Sequence, residues 1–115
     1  MLYLFNTNII PGEAVARVSK ATGRTVVELM TDAAADGTMV SAIGHEATAQ
    51  AFSKITGIEV PVNRIQAAPQ PGDRAISLKI NGRLPEGQIL SLEEMQKIGY
   101  EIFLIEFFDV NTPVG

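Results

Sequence analysis

The stretch Val40-Ser41-Ala42-Ile43-Gly44-His45-Glu46-Ala47-Thr48-Ala49 holds the chain's only histidine, placed where an apolar strand gives way through Gly44 to a helix. Histidine is the side chain whose unperturbed pKa lies closest to neutrality, so proton transfer at physiological pH would pass through His45. A strand-to-helix junction also presents backbone N–H groups that have no acceptor within the helix, and these favour a bound anion. Together they suggest a phosphate-handling site. Taken alone, a histidine at a helix start is more often a surface or capping residue than a catalyst. Further groups must therefore converge on it.

Composition narrows the chemistry. At 115 residues, 46% hydrophobic and 19% charged, the chain is sized for one domain over 1–115 with a modest core. No apolar run reaches the length of about 18 residues that a membrane helix needs, and Met1 to Asn6 lacks a basic region and a small-residue cleavage site. A cytoplasmic protein of the host cell, without membrane contact, is expected. The absence of cysteine excludes disulfides and thiolate zinc sites, and one histidine excludes motifs that need two. No metal ligand set and no cofactor are read from the sequence. A net charge of −4 opposes a broad footprint on duplex DNA, though a few arginines in one cleft can still attract a small anion. Arg64, Arg74 and Arg83 are the cations whose positions matter, Arg74 reading as a solvated turn residue after Asp73.

The elements that must position these groups follow from periodicity and turn chemistry. Residues 2–6 read as a short strand, and a second strand spans 14–20, ended by Gly23. Thr25-Val26-Val27-Glu28 fits a capping box opening a helix over 25–35, with Val26, Val27, Met30, Ala33 and Ala34 on its apolar face and Asp36-Gly37 as its end. Thr38–Ile43 is a strand. The segment from His45 to Thr56 is helical, with Thr48, Ala51, Phe52 and Ile55 on one side and Gly57 as terminator. Ile58, Val60 and Val62 alternate as a strand with Pro61 at an edge, and this strand is expected to pair as a hairpin with Ala75–Ile80. Asn81-Gly82 starts an ordered loop through 83–88, and Ser91-Leu92-Glu93-Glu94 opens a short helix to Ile98. Tyr100–Val110 is an apolar strand buried on both faces. Residues 111–115 form a loose tail. The class is α/β, bordering on α+β: a single domain with a mixed sheet of about five strands and two to three helices.

Three motifs in order, Ser41-Ala42-Ile43-Gly44-His45-Glu46-Ala47-Thr48, Val62-Asn63-Arg64 and Gly82-Arg83-Leu84-Pro85-Glu86-Gly87, make the chain similar to a known family. It resembles the type III anti-CRISPR ring nucleases, small proteins of archaeal viruses and bacterial mobile elements. In that family a homodimer binds cyclic tetra-adenylate at its two-fold interface and cleaves it without metal. The likeness covers nearly the whole chain and is weakest over 12–37. It implies that His45 is the catalytic histidine, that Arg83 and Glu86 are the catalytic arginine and glutamate, and that Arg64 belongs to the phosphate-binding region. Asn6 matches the asparagine ending the first strand, and Thr7 and Asn8 continue that ligand loop. Gly44, Ala47, Thr48 and Lys79 complete the implied binding set. Ala47 stands where some members have serine, which leaves a backbone contact, and Lys79 stands where others have glutamine.

Such residues suit RNA self-cleavage. The ribose 2'-OH attacks the adjacent phosphorus when held in line with the departing 5' oxygen, and positioning supplies much of the barrier reduction. The Asn6 to Asn8 loop and Arg64 would impose that pose. His45, as imidazolium, would protonate the leaving 5' oxygen. The positive end of a helix opposes that cation, and Glu86 would support it, with orientation of Arg83 or contact to the 2'-OH as the alternatives. Arg83 and the amides of the Gly44 to Ala47 turn would stabilise charge on the phosphorane. The expected reaction yields linear di-adenylate, antagonising or terminating type III CRISPR signalling. The alternative is a non-catalytic cyclic oligoadenylate-binding sponge or sensor, against which the intact His45 speaks. A DNA-binding accessory role is weaker, opposed by the acidic charge. Phe103, Phe107 and Phe108 read as core or dimer interface.

Overall fold

The computed structural model describes residues 1–5, 15–65, 69–81 and 91–108. Its elements are β1 (Leu2–Phe5), β2 (Val15–Lys20), α1 (Gly23–Asp36), β3 (Met39–Ser41), α2 (Glu46–Thr56), β4 (Arg74–Ile80), α3 (Leu92–Ile98) and β5 (Tyr100–Phe108). The strands form one five-stranded sheet in the order β2-β5-β4-β1-β3. β1 is parallel to both β3 and β4, whereas β5 is antiparallel to β4 and β2. The result is a single small α+β domain with a mixed sheet and three helices, as the alternation of patterns predicts.

Period-two alternation assigns each strand residue to a face. Leu2, Leu4, Ile76, Leu78 and Ile102 join Val26 and Met30 of α1, Ala49 and Phe52 of α2 and Met95 of α3 in one buried cluster. The intervening positions Phe5, Ala75, Ile105 and Phe107 form a second cluster with Tyr3, Ala16 and Ala42, to which no described helix contributes. All the described helices thus cover one face of the sheet. The other face is aromatic, with the rings of Tyr3 and Phe5 stacked 6.0 Å apart. β5 lies inside the sheet and supplies both clusters, which explains the dense apolar run beginning at Tyr100.

Several local expectations need correction. The first helix is capped one turn earlier than Thr25, because the Thr22 hydroxyl accepts from the Thr25 amide at 3.3 Å. Gly23 becomes the first helical residue, Glu28 pairs with Arg24 at 3.4 Å, and Ala34 faces solvent. The strand expected over 38–43 contracts to Met39–Ser41, because the Ile43 carbonyl accepts from the Asn63 amide at 2.8 Å. The larger error concerns 58–62. Both sides of β4 are taken, by β1 and β5, and residues 58–65 form no strand. Hydroxyls of α2 capture the donors instead: Thr56 Oγ1 accepts from the Ile58 amide at 3.2 Å and Ser53 Oγ from the Val60 amide at 2.9 Å. Pro61 has no donor to add. Val60 packs into the core at 5% exposure while Val62 stands 43% exposed, so the alternation records burial without pairing.

Helix ends match expectation better. Gly37 and Gly57 end α1 and α2 in the left-handed region at φ 69° and 72°, where a side chain would be strained. Ser91 and Glu94 form the expected capping box, the serine hydroxyl accepting at 3.2 Å and the carboxylate accepting at 3.1 Å. The Ser91 amide, followed by its hydroxyl, holds the Glu94 carboxyl below its ordinary value. A depressed carboxylate stabilises the fold above the unfolded-chain value near 4.5, and that contribution disappears as pH falls through the folded value. Glu94→Gln keeps the acceptor and removes the charge. Its unfolding free energy should decline less steeply than wild type as pH is lowered below that range. Urea titrations from about pH 6 down to about pH 3 check this, and parallel curves would refute it.

Candidate functional site

Because β3, β1 and β4 are adjacent and parallel, their carboxyl ends open on one edge of the sheet. Carboxyl ends of parallel strands are where open sheets receive ligands. In sequence, the expected site residues follow these three strands. Asn6, Thr7 and Asn8 come after β1, Gly44 to Thr48 after β3, and Arg83 and Glu86 after β4. Asn6, Thr7, Asn8, Arg83, Glu86, the 83–88 loop and the 111–115 tail lie outside the described residues.

The turn after β3 is described in full. His45 is the N-cap residue of α2, extended at φ −119° and ψ 120°, and its side chain makes no capping hydrogen bond. The imidazole is exposed. The first rung of the helix runs from the Ala49 amide to the His45 carbonyl at 3.1 Å, so the amides of 46–48 lie ahead of the intrahelical ladder. Ala47 and Thr48 sit half-buried in this turn. Glu46, exposed in the same turn, complements the helix dipole and weakens its pull on an anion.

Arg64 reaches this turn from the return segment. Its Nε donates to the Gly44 carbonyl at 2.9 Å. A Cβ on Gly44 would stand 3.1 Å from Arg64 Cγ, so the missing side chain lets the arginine lie against the backbone. With Nε committed to a carbonyl, the guanidinium still has the N–H donors of its two terminal nitrogens. Sequence reasoning gave Asn63 no role, yet it makes two bonds at 2.8 Å to this turn, from Nδ2 to the Ser41 carbonyl and from its amide to the Ile43 carbonyl. Its sequence signals are its place in the motif Val62-Asn63-Arg64 and its type, suited to holding irregular backbone two residues after Pro61.

Lys79 stands apart from this group. It is exposed near the end of β4, opposite Glu101 of β5, and β4 is two strand spacings, about 10 Å, from β3. The structure thus brings together Gly44, His45, Ala47, Thr48 and Arg64, and leaves Lys79 farther along the edge. Arg74 opens β4 and is exposed, while its neighbour Asp73 accepts from the Gln70 amide at 2.8 Å. A groove of about 530 Å³ runs between α2 and residues 57–62, but Glu46 and Glu59 on its walls make it unsuited to a polyanion. Among the described residues, no group of three or more histidine, cysteine or acidic side chains converges as a metal site, and no helix is long and apolar enough to cross a membrane.

Residues 2–102 match the family model described as STIV B116-like. The chain belongs to the STIV B116-like family. It is similar to ORF117 of Acidianus two-tailed virus, 34% identical over 113 residues that cover 92% of each chain. Protein 26 of a Sulfolobus islandicus filamentous virus is 36% identical over 111 residues, 92% of this chain and 91% of that one. YddF of Bacillus subtilis is 32% identical over 74 residues, 64% of this chain and 68% of its own. The fold is similar to B116 of Sulfolobus turreted icosahedral virus, with a TM-score of 0.78 over 91% of this chain and 97% of that one. At 23% identity, that likeness establishes the STIV B116-like fold.

Proposed function

We propose that this STIV B116-like protein is a metal-independent ring nuclease that converts cyclic tetra-adenylate to linear di-adenylate, and so antagonises or terminates type III CRISPR signalling. The observation that supports this most is the anchoring of Arg64 on the Gly44 carbonyl, one residue ahead of His45 at the open N-terminus of α2. A fixed cation, an exposed proton donor and unpaired helix amides then face one phosphate. In the reaction the 2' oxygen bonds to phosphorus and the P–O5' bond breaks. His45 gives its proton to the 5' oxygen, and the 2'-OH proton passes to Glu86 or water. The product ends in a cyclic 2',3'-phosphate. Arg83 and the turn amides take up charge on the nonbridging oxygens.

The second reactive centre comes from a second copy. A homodimer with the ring on its two-fold axis would cut opposite linkages. The deciding experiment is incubation of purified protein with cyclic tetra-adenylate in excess EDTA, with products resolved by mass. Linear di-adenylate supports the proposal. An intact ring bound to protein makes the protein a sponge or sensor, and no binding at all refutes the reading.

Arg64→Lys offers a sharper check on the site. A lysine has one compact charge and cannot hold the Gly44 carbonyl and a phosphate with separate edges of a fork. Affinity for the ring should weaken by roughly tenfold, the loss of about 1.4 kcal/mol expected for one charge-assisted contact. Calorimetric titration measures it, and an unchanged affinity would remove Arg64 from the site.

A further inference from the structure

The turn that presents His45 leaves the sheet after Ser41, and what holds it there is mostly not the sheet. Ala42 still donates to the Leu4 carbonyl at 2.9 Å. Beyond that bond, the carbonyls of Ser41, Ile43 and Gly44 are taken in order by the Asn63 side chain, the Asn63 amide and the Arg64 side chain, at 2.8, 2.8 and 2.9 Å. The Ser41 hydroxyl closes the clasp from the other side by donating to the Pro61 carbonyl at 2.7 Å. Among the described residues of 57–65, Asn63 is thus the one that grips the turn with both backbone and side chain, and it does so immediately before Arg64. The exposed guanidinium is tied down at one atom, so its direction depends on where the Gly44 carbonyl stands.

We infer that Asn63 is a positioning residue: by holding the Ser41 and Ile43 carbonyls it fixes the Gly44 carbonyl, and through it the Arg64 fork, against the first turn of α2. This deepens the ring-nuclease reading and rests on it for its catalytic consequence. Asn63 touches no substrate in this scheme. It acts through Arg64.

The test uses Asn63→Ala, Arg64→Ala and the double variant, each first shown to keep its far-ultraviolet circular dichroism and melting cooperativity. Two readouts follow. The first needs no ligand: the bond to Gly44 should slow exchange of the Arg64 Nε proton in wild type, as followed by nitrogen-15 NMR. Exchange should quicken by about tenfold in Asn63→Ala, and an unchanged exchange rate would overturn the inference. The second is turnover of cyclic tetra-adenylate. Asn63→Ala should slow it by on the order of ten- to a hundredfold, yet cost less than about threefold when Arg64 is already alanine. Fully additive losses would mean that Asn63 merely stabilises the fold, and would also overturn the inference. If wild type neither binds nor cleaves the ring, the reading of the site fails in every kinetic arm, while the Nε signal still decides whether Asn63 positions Arg64.

Discussion

His45→Ala is expected to slow cleavage of cyclic tetra-adenylate by about a hundred- to ten-thousandfold, the usual worth of a positioned general acid. Binding should change far less, because the phosphate contacts assigned to Arg64 and the α2 amides do not involve the imidazole. The fold should not notice the change. His45 is exposed and its side chain makes no capping bond to α2, so alanine removes neither a core contact nor a cap. That combination separates catalysis from stability within a single variant. Single-turnover rates, a binding isotherm and a thermal melt on the same preparation check it. A loss in rate matched by an equal loss in affinity would make His45 a binding residue, and an unaltered rate would refute the mechanism.

Phe52→Ala should have the opposite profile. Phe52 is 1% exposed and belongs to the buried cluster that joins Ala49 of α2 with Leu4 and Ile76 of the sheet. Truncating a buried phenylalanine removes its transfer free energy and leaves a cavity, at a cost of about 3–5 kcal/mol. For a domain of this size the melting midpoint should fall by on the order of 10–20 °C. Because α2 also presents His45 at its first turn, the weakened helix should blunt ring affinity near the new midpoint and restore most of it on cooling. Chemical denaturation measures the energetic part. A loss below about 1 kcal/mol would mean that the site collapses around the smaller side chain.

Much of this architecture was legible from local chemistry. The Ser91 to Glu94 box, the glycines that end α1 and α2, and the start of the second helix at His45 all depend on residues within one or two turns of each other, so their signals survive without tertiary context. The failures have a common physical origin. Thr22 and Thr25 are equally good caps by type, and the Thr22 hydroxyl takes the Thr25 amide, which extends the helix by a turn through Gly23. Ile58, Val60 and Val62 alternate as a strand would, but pairing is settled by which partners β4 already has, and that is a non-local fact. The site divides in the same way. Gly44, His45 and Arg64 were found from motif and residue type, and the structure brings them together. Asn63 stands in the Val62-Asn63-Arg64 motif without a role, because both its donors go to backbone carbonyls and residue type does not say which carbonyls a turn leaves open. Lys79 enters the set through the resemblance, and the structure sets it on β4, two strands from β3, a separation that the order of motifs along the chain does not show.

The shared carboxyl edge of β1, β3 and β4 has an evolutionary corollary. The segments that follow those strands can lengthen, shorten or exchange residues while the layer of Leu4, Phe52 and Ile76 keeps its packing. Change in those segments is therefore limited less by folding than by the groups that meet there, Gly44, His45 and Arg64, so a new specificity can arise around a kept core.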